Sequence, residues 1–485
     1  MPNNERHLLN EAVRACKGNA LLIYAGIVWW ASHFLLLWNV RIISIDSFLV
    51  GYDGRFILTI AGTVLMLGLM TLVAFKRPGF EFADHRWTYI VFAACTSLAL
   101  GLLLVPLFTP SASIVGTIGA VLSGLGNSFA LVLYGELHAR MGYRFIPIAC
   151  AIESFAGALI FFLVSPLPLE ILCLFAVAFI IAAALLYYRY SQTHAKHDTA
   201  APVGRMDMTL ESLLVLAVLT GLAYGFVRTF TVGGLQGPDL YVGMTAEGIG
   251  TCLCAVLLAG VFFLQHRLSP LKLCLLFVAP LVATGMLLIP FQNVSSILSI
   301  VVNTAGFACF FDLMWYFAAL LAASDKRRHM TFIVAVLFFA SQLAQMVGAL
   351  VPAEFVNAFS STMIYALLLV AIVFMYWRMK NAPLASKDAD ETPAAHLEES
   401  TLPNALGQEP TEAEAETWTE QFGFSPREVQ IAMMLAQRVP YRQISSELYV
   451  SENTVKTHAR NIYKKAGVSS RGQLLEKLSE LAKKG

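Results

Sequence analysis

Residues 424–471 read FSPREVQIAMMLAQRVPYRQISSELYVSENTVKTHARNIYKKAGVSSR. Ser425-Pro426 starts a helix: the hydroxyl serves an otherwise unpaired amide, and proline at the first helical position forfeits no hydrogen bond. Ile431, Met434 and Leu435 recur at helical spacing and give this first helix one apolar face. Pro440 breaks the pattern, and a short helix over 443–448 carries Ile444 and Leu448 on one stripe. A tight turn at 449–451 follows, and Ser451 caps a third helix that runs to about residue 465. In it Val455 and Ile462 face inward, two turns apart, while Lys456, Arg460 and Lys464 share the other side. Two short helices around a three-residue turn, the second basic outside, predict a helix-turn-helix. Ser470 caps a fourth amphipathic helix carrying Leu474, Leu475, Leu478 and Leu481.

SPRE at 425–428, SENTVKTH at 451–458 and GVSSR at 467–471 follow one another without gaps. On these residues the segment resembles the DNA-binding domain of LuxR-type (FixJ/NarL-like) bacterial transcription regulators, over roughly residues 422–485. It departs from that family at Gln430, Arg438 and Gln443, where the usual residues are Glu, Gly and Glu. The resemblance implies that Lys456, Thr457 and Arg460 face base edges in the major groove, with Lys464 on the same basic face. It further implies Ser451 and Thr454 beside phosphates, a dimer contact through the fourth helix, and as partners double-stranded promoter DNA and RNA polymerase. The charge count agrees independently. Between 422 and 485 eleven Lys and Arg stand against five Asp and Glu, a net +6, as a DNA-binding surface requires.

The rest of the chain is different in kind. Of 485 residues, 57% are hydrophobic and 13% charged, about half the charge of an average soluble domain, so most of the protein is expected to be solvated by lipid. Apolar runs long enough to cross a hydrocarbon core fall at 20–38, 56–75, 88–108, 113–134, 145–164 and 169–188. After a polar gap they resume at 212–232, 245–264, 271–290, 296–322, 331–351 and 361–377. The expectation is therefore an all-α chain. A cytoplasmic segment (1–19) precedes six spans (20–188), a cytoplasmic loop (189–211) and six more spans (212–380). An acidic linker (381–421) then leads to the four-helix DNA-binding domain (422–485). The charged N-terminus lacks a small-residue cleavage site, so the first apolar run reads as a retained span.

Lys and Arg are concentrated on alternate loops: Arg6, Arg14 and Lys17; Lys76, Arg77 and Arg86; Arg140 and Arg144; Arg189, Lys196 and Arg205. The series continues with Arg267 and Lys272, then Lys326, Arg327 and Arg328, then Arg378 and Lys380. The opposite loops hold only Arg41 and Arg55. The positive-inside rule then puts both termini in the cytoplasm of a bacterial inner membrane, the compartment that holds DNA.

Six spans, a gap and six spans resemble the major facilitator superfamily, whose substrate site lies at the midplane between two halves. The loop FKRPGFEFADHRW between the second and third runs lacks that family's Gly-x-x-x-Asp-Arg-x-Gly-Arg pattern, with only a faint echo in Arg140-Met141-Gly142-Tyr143-Arg144. The domain order also resembles multi-spanning LuxR-type regulators of gut actinobacteria, which implies control of small-molecule metabolic genes.

Charged groups within spans are costly, about 2.5–3.5 kcal/mol each, and so mark function. The candidates for binding a small-molecule inducer are His33, Asn127, Glu153, Arg228, Asn303, Asp312, Trp315 and Gln342, with Gln345, Trp29, Trp30 and Tyr316 as company. They outline a partly wet cavity for an aromatic or polyhydroxylated molecule, or for an anion gripped by Arg228. Each has a structural reading beside it. Arg228, four residues from its span's end, can snorkel outward, and Glu153 and Asp312 can tie helices together. Glu136 and Glu247, near span ends, read as interfacial.

Residues 381–421 carry four prolines, and 388–420 hold ten Asp and Glu with no Lys or Arg. Such a segment is expected to stay an unfolded tether. The eight cysteines are scattered, with Cys252 and Cys254 the one close pair, so neither a disulfide framework nor a metal site is expected. No phosphate-binding loop or nucleophile arrangement points to an enzyme, and no cofactor is implied. A sensor that regulates transcription is the leading expectation, and a transporter with an attached regulatory head is the second.

Overall fold

The computed structural model describes residues 3–38, 52–109, 113–194, 209–231, 238–265, 268–288, 292–324 and 329–350. In the C-terminal part it describes 418–419, 421–437, 439, 441–448, 452–468 and 471–482. The chain divides into two compact units, Met1–Ala385 and Ser386–Gly485.

The first unit is built of helices α1 (Asn3–Gly18), α2 (Ala20–Trp38), α3 (Tyr52–Lys76), α4 (Arg86–Phe108), α5 (Ser113–Met141), α6 (Ile146–Val164) and α7 (Leu169–Thr193). It continues with α8 (Leu210–Thr231), α9 (Pro238–Leu264), α10 (Pro270–Leu273), α11 (Ala279–Leu287), α12 (Gln292–Ser324) and α13 (Met330–Ala349). Eight helices among the described residues are long and apolar enough to cross a membrane. They coincide with expected runs two to six, eight, ten and eleven. A ninth arises if α1 and α2, bent by 81° at their junction, count as one broken span.

The remaining expected runs differ for local reasons. The run at 212–232 is an apolar helix counted over Leu210–Phe226. The run at 271–290 is interrupted by a π-helical turn, Cys274–Val278, between α10 and α11. The run at 361–377 and, apart from residues 418, 419 and 421, the tether lie outside the described residues. Ahead of the first span, Asn3–Gly18 forms an amphipathic helix of its own, where the charges alone indicated only a cytoplasmic segment.

Large apolar side chains such as Leu163, Phe75 and Leu174 are more than two-thirds exposed on the outside of the unit. That pattern suits a lipid solvent, because water would make it an aggregation surface. Inside, α2 packs on α6 and α7, α5 on α3 and α4, α8 on α13, and α9 on α12. The first-half and second-half helices meet along two seams, α3 against α13 and α6 against α9. Glycine permits the closest approaches. A Cβ on Gly124 would overlap the carbonyl oxygen of Thr59, and one on Gly225 would overlap that of Gln345. In a bilayer such small-residue contacts supply the packing that hydrophobic association cannot.

The second unit contains α14 (Pro426–Ala436), α15 (Tyr441–Glu447), α16 (Glu452–Ala466) and α17 (Arg471–Ala482) around one core. Ile431, Leu435, Ile444, Val455, Ile462, Leu474 and Leu478 are fully buried there, at the expected helical spacings. Trp418, read from sequence with the tether, is also buried in this core.

Candidate ligand cavity and DNA-binding face

Between the two halves lies a cavity of about 800 Å³ of empty space, open solvent at its mouth included. Four of the eight candidates line it: His33 from α2, Asn127 from α5, Asp312 from α12 and Gln342 from α13. Trp30, Phe34, Phe56, Tyr224, Phe307 and Phe311 supply aromatic walls. Tyr224 stacks on Phe307 at 3.7 Å between ring centroids, which fixes that wall. Asp312 is the one carboxylate among the described lining residues, and its Oδ1 has no hydrogen-bond partner among the described residues. The same holds for Gln345 Oε1 and Trp30 Nε1, which also border the space. Buried polar atoms are nearly always partnered, so three unpartnered ones around one void mark a place where a ligand or water completes the bonding.

Three of the other four candidates stand elsewhere. Glu153 is fully buried and does not line the cavity. It accepts from the Tyr134 hydroxyl at 2.5 Å and lies 2.9 Å from His138 Nε2. Tyr134 stacks on His138 at 3.7 Å, and both come from α5. This cluster ties α5 to α6, in line with the helix-joining reading. Trp315 is fully buried, and its indole N–H donates to the Leu131 carbonyl oxygen at 3.0 Å. Asn303 is buried against Gly285 of α11. The side chain of Arg228 lies outside the described residues. Sequence reasoning missed Tyr134 and His138, whose four-residue spacing on an apolar helix looks like packing until Glu153 is placed beside them.

Glu136, read as interfacial from its place near a span end, is buried, and its carboxylate accepts from the amides of Phe82 and Ala83 at 3.2 and 2.7 Å and from Thr331 Oγ1 at 2.5 Å. Glu247 is likewise buried. Beside Glu136, Arg140 donates to Glu81 and Asp84 at 3.2 and 2.6 Å. The loop after α3 is thus pinned to the end of α5 by charge, without the transporter family's usual loop pattern. Thr331 Oγ1, from the second half, also lies 2.9 Å from the Phe80 carbonyl oxygen, so its one hydroxyl meets the same loop across the seam.

In the C-terminal unit the helix starts as its sequence demands. Ser425 and Glu428 form a reciprocal capping box, with the Ser425 amide donating to Glu428 Oε2 at 2.7 Å. Lys465 Nζ bridges Glu428, at 2.7 Å, and the Gly423 carbonyl, at 2.8 Å, so α16 is fastened to the entry of α14. Burial works against the Glu428 charge, but the bonds from Lys465 and Ser425 hold its carboxyl below the ordinary value of 4.5. The departures are absorbed locally. Gln430 accepts from Arg427 at 2.9 Å, and Gln443 donates to Glu447 at 2.9 Å, while Arg438 lies outside the described residues. Gly467 takes φ +64° and closes α16, a left-handed turn that favours glycine.

On α16, Val455, Ala459, Ile462 and Ala466 face the core, while Thr457, Arg460 and Lys464 are exposed on the opposite side. Thr454 is half-buried. Ser451 and the side chain of Lys456 lie outside the described residues. Leu474 and Leu478 of α17 are used up in the domain's own core, and Leu475 is half-buried.

Residues 423–478 match the family described as bacterial regulatory proteins, luxR family. No curated protein matches the chain. Among solved structures, the chain is similar to a bacterial homologue of the iron transporter ferroportin in an outward-facing state. The TM-score is 0.52 at 13% identity, over 75% of this chain and 99% of that one. It is also similar to the human organic anion transporter TETRAN, with TM-score 0.53 and 13% identity over 74% of this chain and 98% of that one. A double-tryptophan variant of XylE gives TM-score 0.52 and 13% identity over 76% and 96%. At such identities the likeness is one of fold. A multi-spanning helical domain of the transporter-like fold is therefore joined, in one chain, to a LuxR-type helix-turn-helix.

Proposed function

We propose that this chain is a one-component transcription regulator of the bacterial inner membrane, with twelve spans and both termini in the cytoplasm. A small molecule binds in the cavity between the halves and shifts the population of arrangements in which paired heads engage promoter DNA. For that shift the ligand must prefer one arrangement energetically. Lys456, Thr457 and Arg460 read base edges, Ser451, Thr454 and Lys464 sit along phosphates, and α17 pairs two heads, with RNA polymerase the downstream partner. The observation that carries this reading is the cavity with its three unpartnered polar atoms in the same polypeptide as a luxR-family head.

The fold likeness to transporters supports a second reading, a transporter whose head regulates its own gene. The two separate in sealed vesicles loaded with this protein. Saturable binding of an inducer without accumulation supports the sensor, and concentrative uptake supports the transporter. The inducer comes from expression profiling, with and without this protein, across a panel of small molecules.

A further inference from the structure

The cavity's polar atoms also restrict what can fill it. Asp312 is 2% exposed and Gln345 is 4% exposed, so bulk water does not satisfy either. Asp312 has one sulfur neighbour, Cys254 Sγ at 3.8 Å from Oδ2, and an Oδ1 with no partner among the described residues. Gln345 presents an equally unpartnered Oε1. Both atoms are acceptors when Asp312 is ionised, and the described lining residues hold no Lys or Arg to answer the carboxylate, only the imidazole of His33. An unanswered carboxylate in a low-dielectric interior is costly. A carboxylate ligand would add a second like charge to it.

The geometry points to a ligand that carries a protonated amine on an aromatic body, with an ammonium whose N–H groups serve Asp312 and Gln345. An ammonium supplies several donors and the missing countercharge together. The rings of Phe307, Phe311 and Trp30 favour the same species, because aromatic faces attract cations and also bury an apolar body. The unpartnered indole N–H of Trp30 asks for one acceptor on the ligand, such as an ether, hydroxyl or carbonyl oxygen. This ligand class differs from the anion that the sequence suggested through Arg228, whose side chain lies outside the described residues. It rests on the sensor reading only in taking the cavity as the binding site.

The test uses the purified full-length chain in lipid nanodiscs and isothermal calorimetry. The probes are 4-methoxyphenethylamine and 2-(1-naphthyl)ethylamine, each beside its matched alcohol and its matched carboxylate. The expected result is saturable binding of at least one amine, tenfold or more tighter than its alcohol, with the carboxylate weakest. Asp312→Asn weakens amine binding at least tenfold, and Gln345→Leu weakens it less. The assignment is overturned if neither amine binds, if an alcohol or carboxylate binds as tightly, or if Asp312→Asn leaves amine affinity unchanged. Should Asp312→Asn fail to give monodisperse protein, the ranking of the six probes on the unmodified chain decides alone. Amine binding that leaves promoter occupancy unaltered sinks the sensor reading and keeps this one. A promoter response to carboxylates alone does the reverse.

Discussion

The indole N–H of Trp315 donates to the carbonyl oxygen of Leu131 at 3.0 Å, a hydrogen bond between the second half of the bundle and the first. Trp315 follows Asp312 by one helical turn, so the group that borders the cavity and the group that bridges the halves share one rigid helix. Tyr134 lies 4.2 Å from Trp315 between ring centroids and hands on to Glu153 through its hydroxyl. A ligand that moves α12 at Asp312 must therefore strain or relax this bridge.

Trp315→Phe keeps an aromatic ring and removes the bond. It should cost about 1 kcal/mol of stability, read as a small fall in thermal unfolding temperature in detergent. It should also shrink the promoter response at unchanged ligand affinity. An unaltered response would show that the bridge does not carry the signal.

Arg460→Ala and Lys464→Ala should weaken DNA binding without altering the fold of the head. If Lys464 meets a phosphate, Lys464→Ala should lower affinity on all sequences and reduce the salt slope by about one, whereas Arg460→Ala should cost about 1–3 kcal/mol mainly on the preferred site. Electrophoretic mobility shifts across a salt series read both. Val455→Ala gives the opposite profile: a buried methyl pair is lost, and the head unfolds at lower urea.

Glu428 makes the head's stability depend on acid. A carboxyl held below 4.5 by folding contributes stability that is complete above 4.5 and is lost as pH falls through the lowered value. Glu428→Gln should cost about 1 kcal/mol near neutral pH. The difference from the unmodified head should vanish in acid. Urea titrations of residues 386–485 at pH 7 and at pH 3 check the sign.

Gly225→Val should prevent α8 from reaching α13, because the added carbon meets the Gln345 carbonyl. The expected outcome is protein that inserts but elutes as aggregate in detergent. Gly101→Ala, which meets nothing within 4 Å, serves as the neutral control.

Much of this was legible beforehand because local chemistry and tertiary packing agree. Ser425, Pro426, Ile431, Leu435, Val455 and Ile462 sit where capping and helical period put them. Eight apolar runs became long helices for the same reason. What could not be read was pairing at a distance. The place of Glu136 near a span end gave no sign that two amides of a distant loop and Thr331, 195 residues away, satisfy it. Glu153 looked like a cavity acid, yet Tyr134 and His138 occupy it. The acidic stretch hid Trp418, whose burial depends on a core that begins several residues later.

The most direct measurement is the affinity of the purified full-length chain for its promoter, by fluorescence anisotropy in nanodiscs, with and without saturating ligand. A ligand that binds the cavity should change the dissociation constant at least fivefold. The change should disappear in Asp312→Asn and in the isolated head. A dissociation constant that is the same with the cavity filled and empty would contradict the account.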